Sequence, residues 1–251
     1  PGINEQWGDL TPFVLPSNDL FRPSPPPQVG STQYLKALEE VRNIGSATSS
    51  TRSPEQVHIA QFYKQDAELL VNEAARLLSA KSRLPLEANA LLFLLTDVAI
   101  ADARIAVWEA KYTYKFWRPI TALNADTDGV VRNNYASWSP FLVTPSHSSY
   151  PSGHSGTVNA GVDVLKAFFG NSVSLTLHTT TPGEPARTVR HLSQIEDENG
   201  LSRIYGGIHY SFDNFEGQKL GHKVAQYVLN AFLSGAEADD DAATEDDSAQ
   251  P

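Results

Sequence analysis

Three short motifs, widely separated along the chain, constrain the fold more than any other feature. They lie at residues 111–119, 151–154 and 202–213. Their informative residues are Lys111, Arg118, Ser152, Gly153, His154, Arg203, His209 and Asp213. Cations, hydroxyls and free amides donate hydrogen bonds to anions, and imidazoles exchange protons. The set therefore predicts a fold that brings the three segments together around one oxyanion.

In the first motif, Lys111 and Arg118 are seven residues apart. That is two helical turns, so we expect both side chains on one helix face, about 10 Å apart along the axis. The helix should stop at Pro119, because the residue before a proline is disfavoured in the helical region. A solvated basic face is the simple alternative. The aromatic neighbours argue against it, because cations on a buried helix need partners.

The second motif, residues 151–154, opens directly into an apolar helical pattern, 155–169, that Gly170 ends. Amides at a helix start attract anions, glycine permits close approach, and the Ser152 hydroxyl adds a donor. His154 at this edge is a candidate general acid or base. Taken alone, a helix cap with a neighbouring histidine explains the tetrapeptide equally well.

In the third motif, Gly206 and Gly207 predict a chain reversal that returns His209 toward Arg203. Asp213 follows His209 by four residues, so it is placed to accept the imidazole proton and fix the tautomer. An ordinary His–Asp surface pair is the alternative here. Each motif has such an alternative, whereas the order, spacing and shared chemistry of all three favour one site.

Helical patterns dominate the chain and predict an all-α protein. They cover residues 32–44, 54–80, 85–117, 155–169, 189–205 and 210–233, with a short extended excursion at 171–186 and a loop at 126–129. Residues 1–30 are rich in proline and predict an extended arm around a catalytic domain at 31–235. Residues 236–251 are acidic and predict a disordered tail.

Composition excludes several classes of protein. Removing the seven acids of the tail changes the net charge from −10 to −3, and no basic patch predicts nucleic-acid binding. The most apolar stretch, 88–107, is interrupted by charged residues, so we expect no membrane span and a soluble protein. The absence of cysteine excludes disulfides and thiolate metal sites.

Over residues from about 100 to 215, the three motifs together resemble the signature of the vanadium-dependent haloperoxidases and the related type 2 phosphatidic acid phosphatases. The resemblance implies the helical bundle of that superfamily. Trp108, Pro145 and His147 resemble haloperoxidase positions more than phosphatase positions. His147 stands where bromoperoxidases typically have histidine and the best-known chloroperoxidase has phenylalanine. The segment 53–66 resembles the bacterial branch.

The resemblance also implies roles for the motif residues. In the family, a histidine like His209 binds vanadium directly, and one like His154 is the acid–base group. The vanadate oxygens are bound by residues like Lys111, Arg118, Ser152, Gly153 and Arg203. By the same resemblance, Lys111 polarises hydrogen peroxide, Asp213 orients the metal ligand, and Asp66 pairs with the arginine of the third motif. Trp108, Pro145 and His147 form the halide pocket.

Vanadate and phosphate have nearly the same shape and charge, so such a site serves either anion. The preferred interpretation is a haloperoxidase that uses hydrogen peroxide to oxidise bromide or iodide to hypohalous acid, which halogenates small organic acceptors. The alternative is a phosphomonoesterase in which His209 forms a phosphohistidine and His154 protonates the leaving group. The third interpretation is a non-enzymatic oxyanion-binding module, although such binding requires no paired acid–base groups.

Family haloperoxidases usually carry a further helical region before the part that this chain resembles. We therefore expect a fragment, a reduced scaffold, a homo-oligomer or a partner chain that supplies the missing half. The resemblance is consistent with a secreted or periplasmic protein. The remaining histidines have no motif around them and are expected to be structural or exposed: His58, His178, His191 and His222.

Overall fold

The computed structural model describes residues 2–125 and 137–245, and of 233–245 the backbone alone. The predicted loop at 126–129 lies outside the described residues. The helices are α1 Thr32–Ile44, α2 Pro54–Phe62, α3 Ala67–Ser82, α4 Leu86–Tyr114, α5 Pro119–Asn124, α6 Gly153–Phe169, α7 Leu192–Tyr205 and α8 Ser211–Glu245. The strands are β1 Ser172–Leu177 and β2 Arg187–His191, and a 3₁₀ helix spans Glu5–Asp9. The all-α prediction is confirmed.

The excursion predicted at 171–186 is part of a β-hairpin. Strands β1 and β2 pair antiparallel, with Leu175 opposite Val189. Leu175, Leu177 and Val189 are buried in the same apolar cluster as residues of α3. Strand β2 takes up the first residues of the helix predicted from 189, because the alternation of Val189 with exposed neighbours suits a half-buried strand.

The helical pattern predicted over 54–80 divides into α2 and α3. Ser53 and Gln56 form a capping box at the start of α2, with Pro54 in the first turn. The chain leaves the helix at Tyr63, whose carbonyl accepts a hydrogen bond of 2.5 Å from Arg203 Nη2. The break thus frees a backbone acceptor for a buried cation of the third motif.

Helix α4 ends at Tyr114, earlier than the proline alone predicts. Lys115 adopts the left-handed conformation with φ of 48°, and its N–H donates to the Lys111 carbonyl. Arg118 then stands in extended conformation as the N-cap of α5, with Pro119 in its first turn. The prediction that Lys111 and Arg118 share one helix face is wrong, because the helix closes between them.

Helix α6 packs between α4 and α8 and forms the centre of the bundle. Small residues let α6 and α8 approach closely. A Cβ at Gly217 would lie 2.5 Å from the Ser152 carbonyl oxygen, and one at Gly221 would overlap the Gly156 carbonyl oxygen. The Ser152 N–H also donates to the Asp213 carbonyl at 2.9 Å. This contact sets the start of α6, with the second motif, against the start of α8, with the third.

The N-terminal arm runs along α4. Trp7 packs on Trp108 with ring centroids 5.6 Å apart. Further along, Asp102 is fully buried, and its carboxylate accepts three backbone hydrogen bonds, from Phe13 at 2.6 Å, Val14 at 2.9 Å and Leu15 at 3.0 Å. Asp102 therefore anchors the arm to the helix that carries Lys111.

The C-terminal region departs from the sequence prediction. Helix α8 continues to Glu245, so the backbone of 236–245 is helical where disorder was predicted. Alanine and glutamate favour helices, and extending an existing helix costs far less than starting one. Residues 246–251 lie outside the described part. Among the described residues, no helix combines the length and apolar content that crossing a membrane requires.

Replacing Asp102 by Asn should detach the arm. The amide group presents N–H donors to backbone N–H groups, so the free energy of unfolding should fall by about 1.5–3 kcal/mol in urea denaturation. Asp97→Asn on the exposed side of the same helix is the control and should change it by less than about 0.5 kcal/mol. Equal losses in both variants would contradict this role of Asp102.

Candidate active site

The third motif forms a buried His–Asp pair at the start of α8. His209 Nδ1 lies 2.8 Å from Asp213 Oδ2, and His209 Nε2 lies 3.0 Å from Arg118 Nη1. Because a guanidinium only donates, Nε2 accepts and the imidazole proton resides on Nδ1. Burial, followed by the charges of Arg118 and Lys111, lowers the pKa of His209 well below its usual value. A neutral imidazole therefore presents its Nε2 lone pair to the site.

Asp213 holds this tautomer and is itself held. Its Oδ2 accepts hydrogen bonds from Ser149 Oγ at 2.5 Å and from the Tyr210 N–H at 3.1 Å. Burial raises the pKa of the Asp213 carboxyl to about 6. The predicted orienting contact between Asp213 and His209 is thus present in the structure.

Lys111 is fully buried within a cage of carbonyl groups. Its Nζ donates to the carbonyls of Ser148 at 2.8 Å, Ser149 at 2.9 Å and Pro151 at 2.6 Å. Burial, and then the nearby charge of Arg118, lower the pKa of Lys111 well below its usual value. These contacts fix the lysine beside the segment that leads into the second motif.

Arg118 occupies the centre of the group. Its guanidinium donates to the carbonyl oxygens of His147 at 2.9 Å and Ile208 at 2.6 Å, in addition to its contact with His209. Although Arg118 lies outside α4, the turn at Lys115 carries it back to the site. Among the described residues, carbonyls and imidazoles rather than carboxylates accept the hydrogen bonds of Arg118, so these contacts leave its charge uncompensated.

The second motif caps α6 as predicted. The Ser152 side chain accepts from the Ser155 N–H at 3.3 Å, and its Oγ lies 2.8 Å from the Ser155 Oγ, which also contacts Asn214 Oδ1. A Cβ at Gly153 would lie 3.1 Å from the Trp108 ring, so glycine permits the close packing there. His154 is half-buried, and its Nε2 lies 3.2 Å from the Gln65 carbonyl. A carbonyl only accepts, so Nε2 carries the proton and Nδ1 a lone pair.

Arg203 is buried near the end of α7. Its Nε donates to Ser202 Oγ at 2.9 Å and its Nη2 to the Tyr63 carbonyl. The predicted Asp66–Arg203 ion pair is absent among the described residues. Asp66 is exposed, stands before the first turn of α3, and acts electrostatically on Arg104 instead. The carbonyl at the α2–α3 break occupies the place expected for the carboxylate.

A cavity of about 360 Å³ lies against these residues. Its lining includes Asp66, Arg104, Trp108, Pro145, His147, Gly153, His154, Arg203 and His209. Lys111, Arg118 and Ser152 lie outside this lining, although Arg118 contacts His209 directly. Arg118 lines a neighbouring cavity of about 600 Å³, which shares Pro145 and His147 with the first. The structure therefore gathers the three motifs in one region, with histidines and Arg203 at the cavity surface.

The predicted halide-pocket residues meet at the cavity wall. The ring centroids of Trp108 and His147 lie 5.1 Å apart, and the backbone N–H of His147 donates to the Pro145 carbonyl at 2.9 Å. His147 Nδ1 lies 3.1 Å from Arg118 Nη2. Burial, with the charges of Lys111 and Arg118, lowers the pKa of His147 to about 2. His147 is therefore a neutral imidazole beside an indole.

Comparison with known proteins decides the family. The family model described as the VCPO second helical-bundle domain matches residues 91–236, which is more than half of the chain. The chain belongs to this family. The matched residues include all three motifs.

Two relatives named as vanadium enzymes match different shares of the chain. The vanadium chloroperoxidase of Curvularia inaequalis is 29% identical over 203 residues, which is 62% of this chain and 31% of the relative. A vanadium-dependent bromoperoxidase of Corallina pilulifera is 30% identical over 34% of this chain and 16% of its own. The chain thus spans about a third of the length of the Curvularia relative and less of the Corallina one.

Solved structures extend the comparison to the fold. A crystal structure of a bacterial vanadium-dependent iodoperoxidase superposes on this chain with a TM-score of 0.82 at 32% identity. The superposition covers 91% of this chain and 57% of the iodoperoxidase. An apo bacterial vanadium-dependent chloroperoxidase gives a TM-score of 0.74 at 16% identity, covers 91% of this chain and 56% of that one, and supports the fold alone. The predicted haloperoxidase-type bundle is confirmed.

The residues present fit the vanadate that the family implies. Within the described site, three buried cations, Lys111, Arg118 and Arg203, face one buried carboxylate, Asp213. An oxyanion with two or three negative charges offsets this excess, and the Ser152 hydroxyl adds a donor. The Nε2 atom of the neutral His209, which contacts Arg118 in this structure, would supply the nitrogen ligand that a metal ion requires.

Several residues of this site belong to none of the three motifs and were not predicted from the sequence. Ser149 and Gln65 position the two histidines, and Tyr63 acts through its backbone carbonyl, which no side-chain pattern reveals. Arg104 lies over the Trp108 ring at 5.3 Å and lines the cavity. Its position seven residues before Lys111, on the same helix, is the one sequence signal that indicates it.

Replacing Asp213 by Asn should weaken orthovanadate binding roughly 10- to 100-fold, because one amide oxygen cannot replace the carboxylate that fixes the His209 tautomer. Vanadium-51 NMR titration measures this affinity, and thermal unfolding checks that the variant folds. Asp197→Asn, at an exposed position of α7, is the matched control and should bind as the parent does. Unchanged binding in the Asp213 variant would show that the pair does not hold the ligand.

Proposed function

We propose that this protein is a vanadate-dependent haloperoxidase that uses hydrogen peroxide to oxidise bromide or iodide to hypohalous acid. One observation carries the proposal. Asp213 keeps the proton of His209 on Nδ1, so the Nε2 lone pair lies among three buried cations. A second histidine, His154, lines the same cavity separately. Metal ligation and proton transfer thus have separate histidines.

Bound vanadate would supply a Lewis acid that activates hydrogen peroxide without a change of oxidation state. The residues that would hold it are Lys111, Arg118, Ser152, Gly153, Arg203 and His209. Carbonyl contacts already orient the charged groups of Lys111, Arg118 and Arg203, so little reorganisation of these groups accompanies the reaction. Lys111, beside Arg118, would polarise the peroxide through its buried positive charge.

His154 is suited to move the protons of the peroxide. Its Nε2–H donates to the Gln65 carbonyl, which leaves Nδ1 as the base. Burial, and next the charge of Arg203, lower the pKa of His154 well below its usual value, so this base is unprotonated at neutral pH. General acid–base groups of this kind typically contribute about 10²- to 10⁴-fold to a rate.

The halide would approach beside Trp108, Pro145 and His147. His147 Nδ1 contacts both Arg118 Nη2, at 3.1 Å, and the Ser148 carbonyl oxygen, at 3.2 Å, so these contacts hold the ring in place beside Trp108. A neutral N–H group and an indole edge suit a large, weakly hydrated anion better than a small one. The bromoperoxidase-like histidine at 147 supports the same preference for bromide or iodide.

The same pair, His209 and Asp213, would also serve a phosphomonoesterase. In that case Nε2 attacks phosphorus, and His154 protonates the leaving alkoxide. Phosphate would occupy the same cations as vanadate, so it should compete with it in either case. The family relatives, all named as vanadium enzymes, favour the peroxidase. A non-enzymatic oxyanion module would bind phosphate and turn over neither substrate.

The first test is bromination of a phenol dye by hydrogen peroxide. We expect activity only with added orthovanadate, inhibition by phosphate, and loss in His209→Ala. Hydrolysis of p-nitrophenyl phosphate without vanadate-dependent bromination would select the phosphatase instead. Bromination that survives in the His209 variant would show that the metal ligand is misassigned.

The second test concerns the halide. We expect rates to fall in the order iodide, bromide, chloride, and His147→Phe to change the halide KM more than the KM for peroxide. Steady-state kinetics with each halide at fixed vanadate gives both values. Chloride oxidation as fast as bromide oxidation, or an unchanged halide KM in the variant, would contradict a halide pocket at His147.

The organic acceptor and the assembly remain predictions. A small organic molecule is the expected acceptor of the hypohalous acid. The chain spans 57% of the bacterial iodoperoxidase, and a homo-oligomer or a partner chain that supplies a further helical region stays a prediction. Sedimentation of the protein alone would show whether it self-associates.

A further inference from the structure

A second cluster of potential ligands lies away from the oxyanion site. Asp163 on α6, Glu196 on α7 and His222 on α8 each place one ligand atom within 4.8 Å of the others. Asp163 lies ten residues after Gly153, which is about 15 Å along α6. The cluster therefore has its own position in the bundle, between three helices.

The geometry points to a binding site for a divalent transition-metal ion, such as Zn²⁺ or Co²⁺, held by Asp163, Glu196 and His222. Two carboxylates and one imidazole are the oxygen and nitrogen ligands that such ions take, with water completing the shell. Ca²⁺ and Mg²⁺ prefer oxygen ligands alone, so the imidazole disfavours them.

Besides the proximity of the three ligand atoms, the burial of the Glu196 carboxylate supports a bound cation. Its side chain is 6% exposed, and its Oε1 is buried without a hydrogen-bond partner. Burial of a carboxylate oxygen without a partner is costly, and a metal ion would satisfy it. The other oxygen, Oε2, contacts Lys166 Nζ.

Lys166 neutralises only one of the two negative charges of Asp163 and Glu196. Its Nζ contacts Glu196 Oε2 and lies 3.1 Å from Asp163 Oδ1, whereas Asp163 Oδ2 contacts His222 Nδ1. Two carboxylates and one lysine leave a net charge of −1 when His222 is neutral. A metal ion would therefore take the place of the imidazole proton that Asp163 otherwise stabilises.

The positions of the three ligands allow a metal ion to enter from solvent and to link three helices. The His222 side chain is 49% exposed, so an ion can enter from solvent. The three ligands come from α6, α7 and α8, which also carry His154, Arg203 and Asp213. Binding would clamp together the helices that assemble the active site and would stabilise the folded state by mass action.

The test uses the tag-free full chain without vanadate. Zn²⁺ should raise the melting temperature, and Co²⁺ should give a visible absorption band upon binding. His222→Gln and Glu196→Gln should each weaken Co²⁺ binding at least about 10- to 100-fold, the range that loss of outer-shell partners already reaches. Ca²⁺ and Mg²⁺ should have no effect on the melting temperature.

His178→Gln is the matched control, because His178 also contacts a carboxylate, Glu73, but belongs to no cluster of three among the described residues. It should bind Co²⁺ as the parent does. Absence of a metal-induced shift in the parent protein would overturn the proposal. So would Co²⁺ binding that both cluster variants retain, since the ion would then lie elsewhere.

Discussion

The hydrogen bond between Asp213 and the Nδ1–H of His209 is the interaction on which the rest of the site depends. It turns the Nε2 lone pair toward Arg118, while burial and the charges of Arg118 and Lys111 keep the imidazole neutral. The Asp213 carbonyl also accepts the Ser152 N–H, so the same residue ties α8 to the start of α6. One aspartate thus fixes both the tautomer of His209 and the place of the second motif.

Three cations remain buried around this pair because backbone carbonyls, rather than carboxylates, solvate them. The carbonyls of Ser148, Ser149 and Pro151 surround Lys111, and the Tyr63 carbonyl holds Arg203. Neutral acceptors satisfy the donors without cancelling the charge. The positive field therefore stays available to an anion, which is the property that an oxyanion site needs.

The helix break at Tyr63 and the turn at Lys115 explain what the motifs could and could not predict. Residue types and spacing indicated the His209–Asp213 pair and the N-cap Ser152, because these act through side chains close in sequence. The predictions that Lys111 and Arg118 share a helix face and that Asp66 pairs with Arg203 were wrong, because each depended on where a helix ends. Arg104 and the Tyr63 carbonyl act across long sequence separations, which local patterns do not report.

A crystal structure of the protein soaked with orthovanadate tests the central claim most directly. The account predicts vanadium at bonding distance from His209 Nε2, with its oxygens among Lys111, Arg118 and Arg203. Vanadium bound through His154, or an anion held only at the outer rim near Asp66 and Arg104, would contradict it.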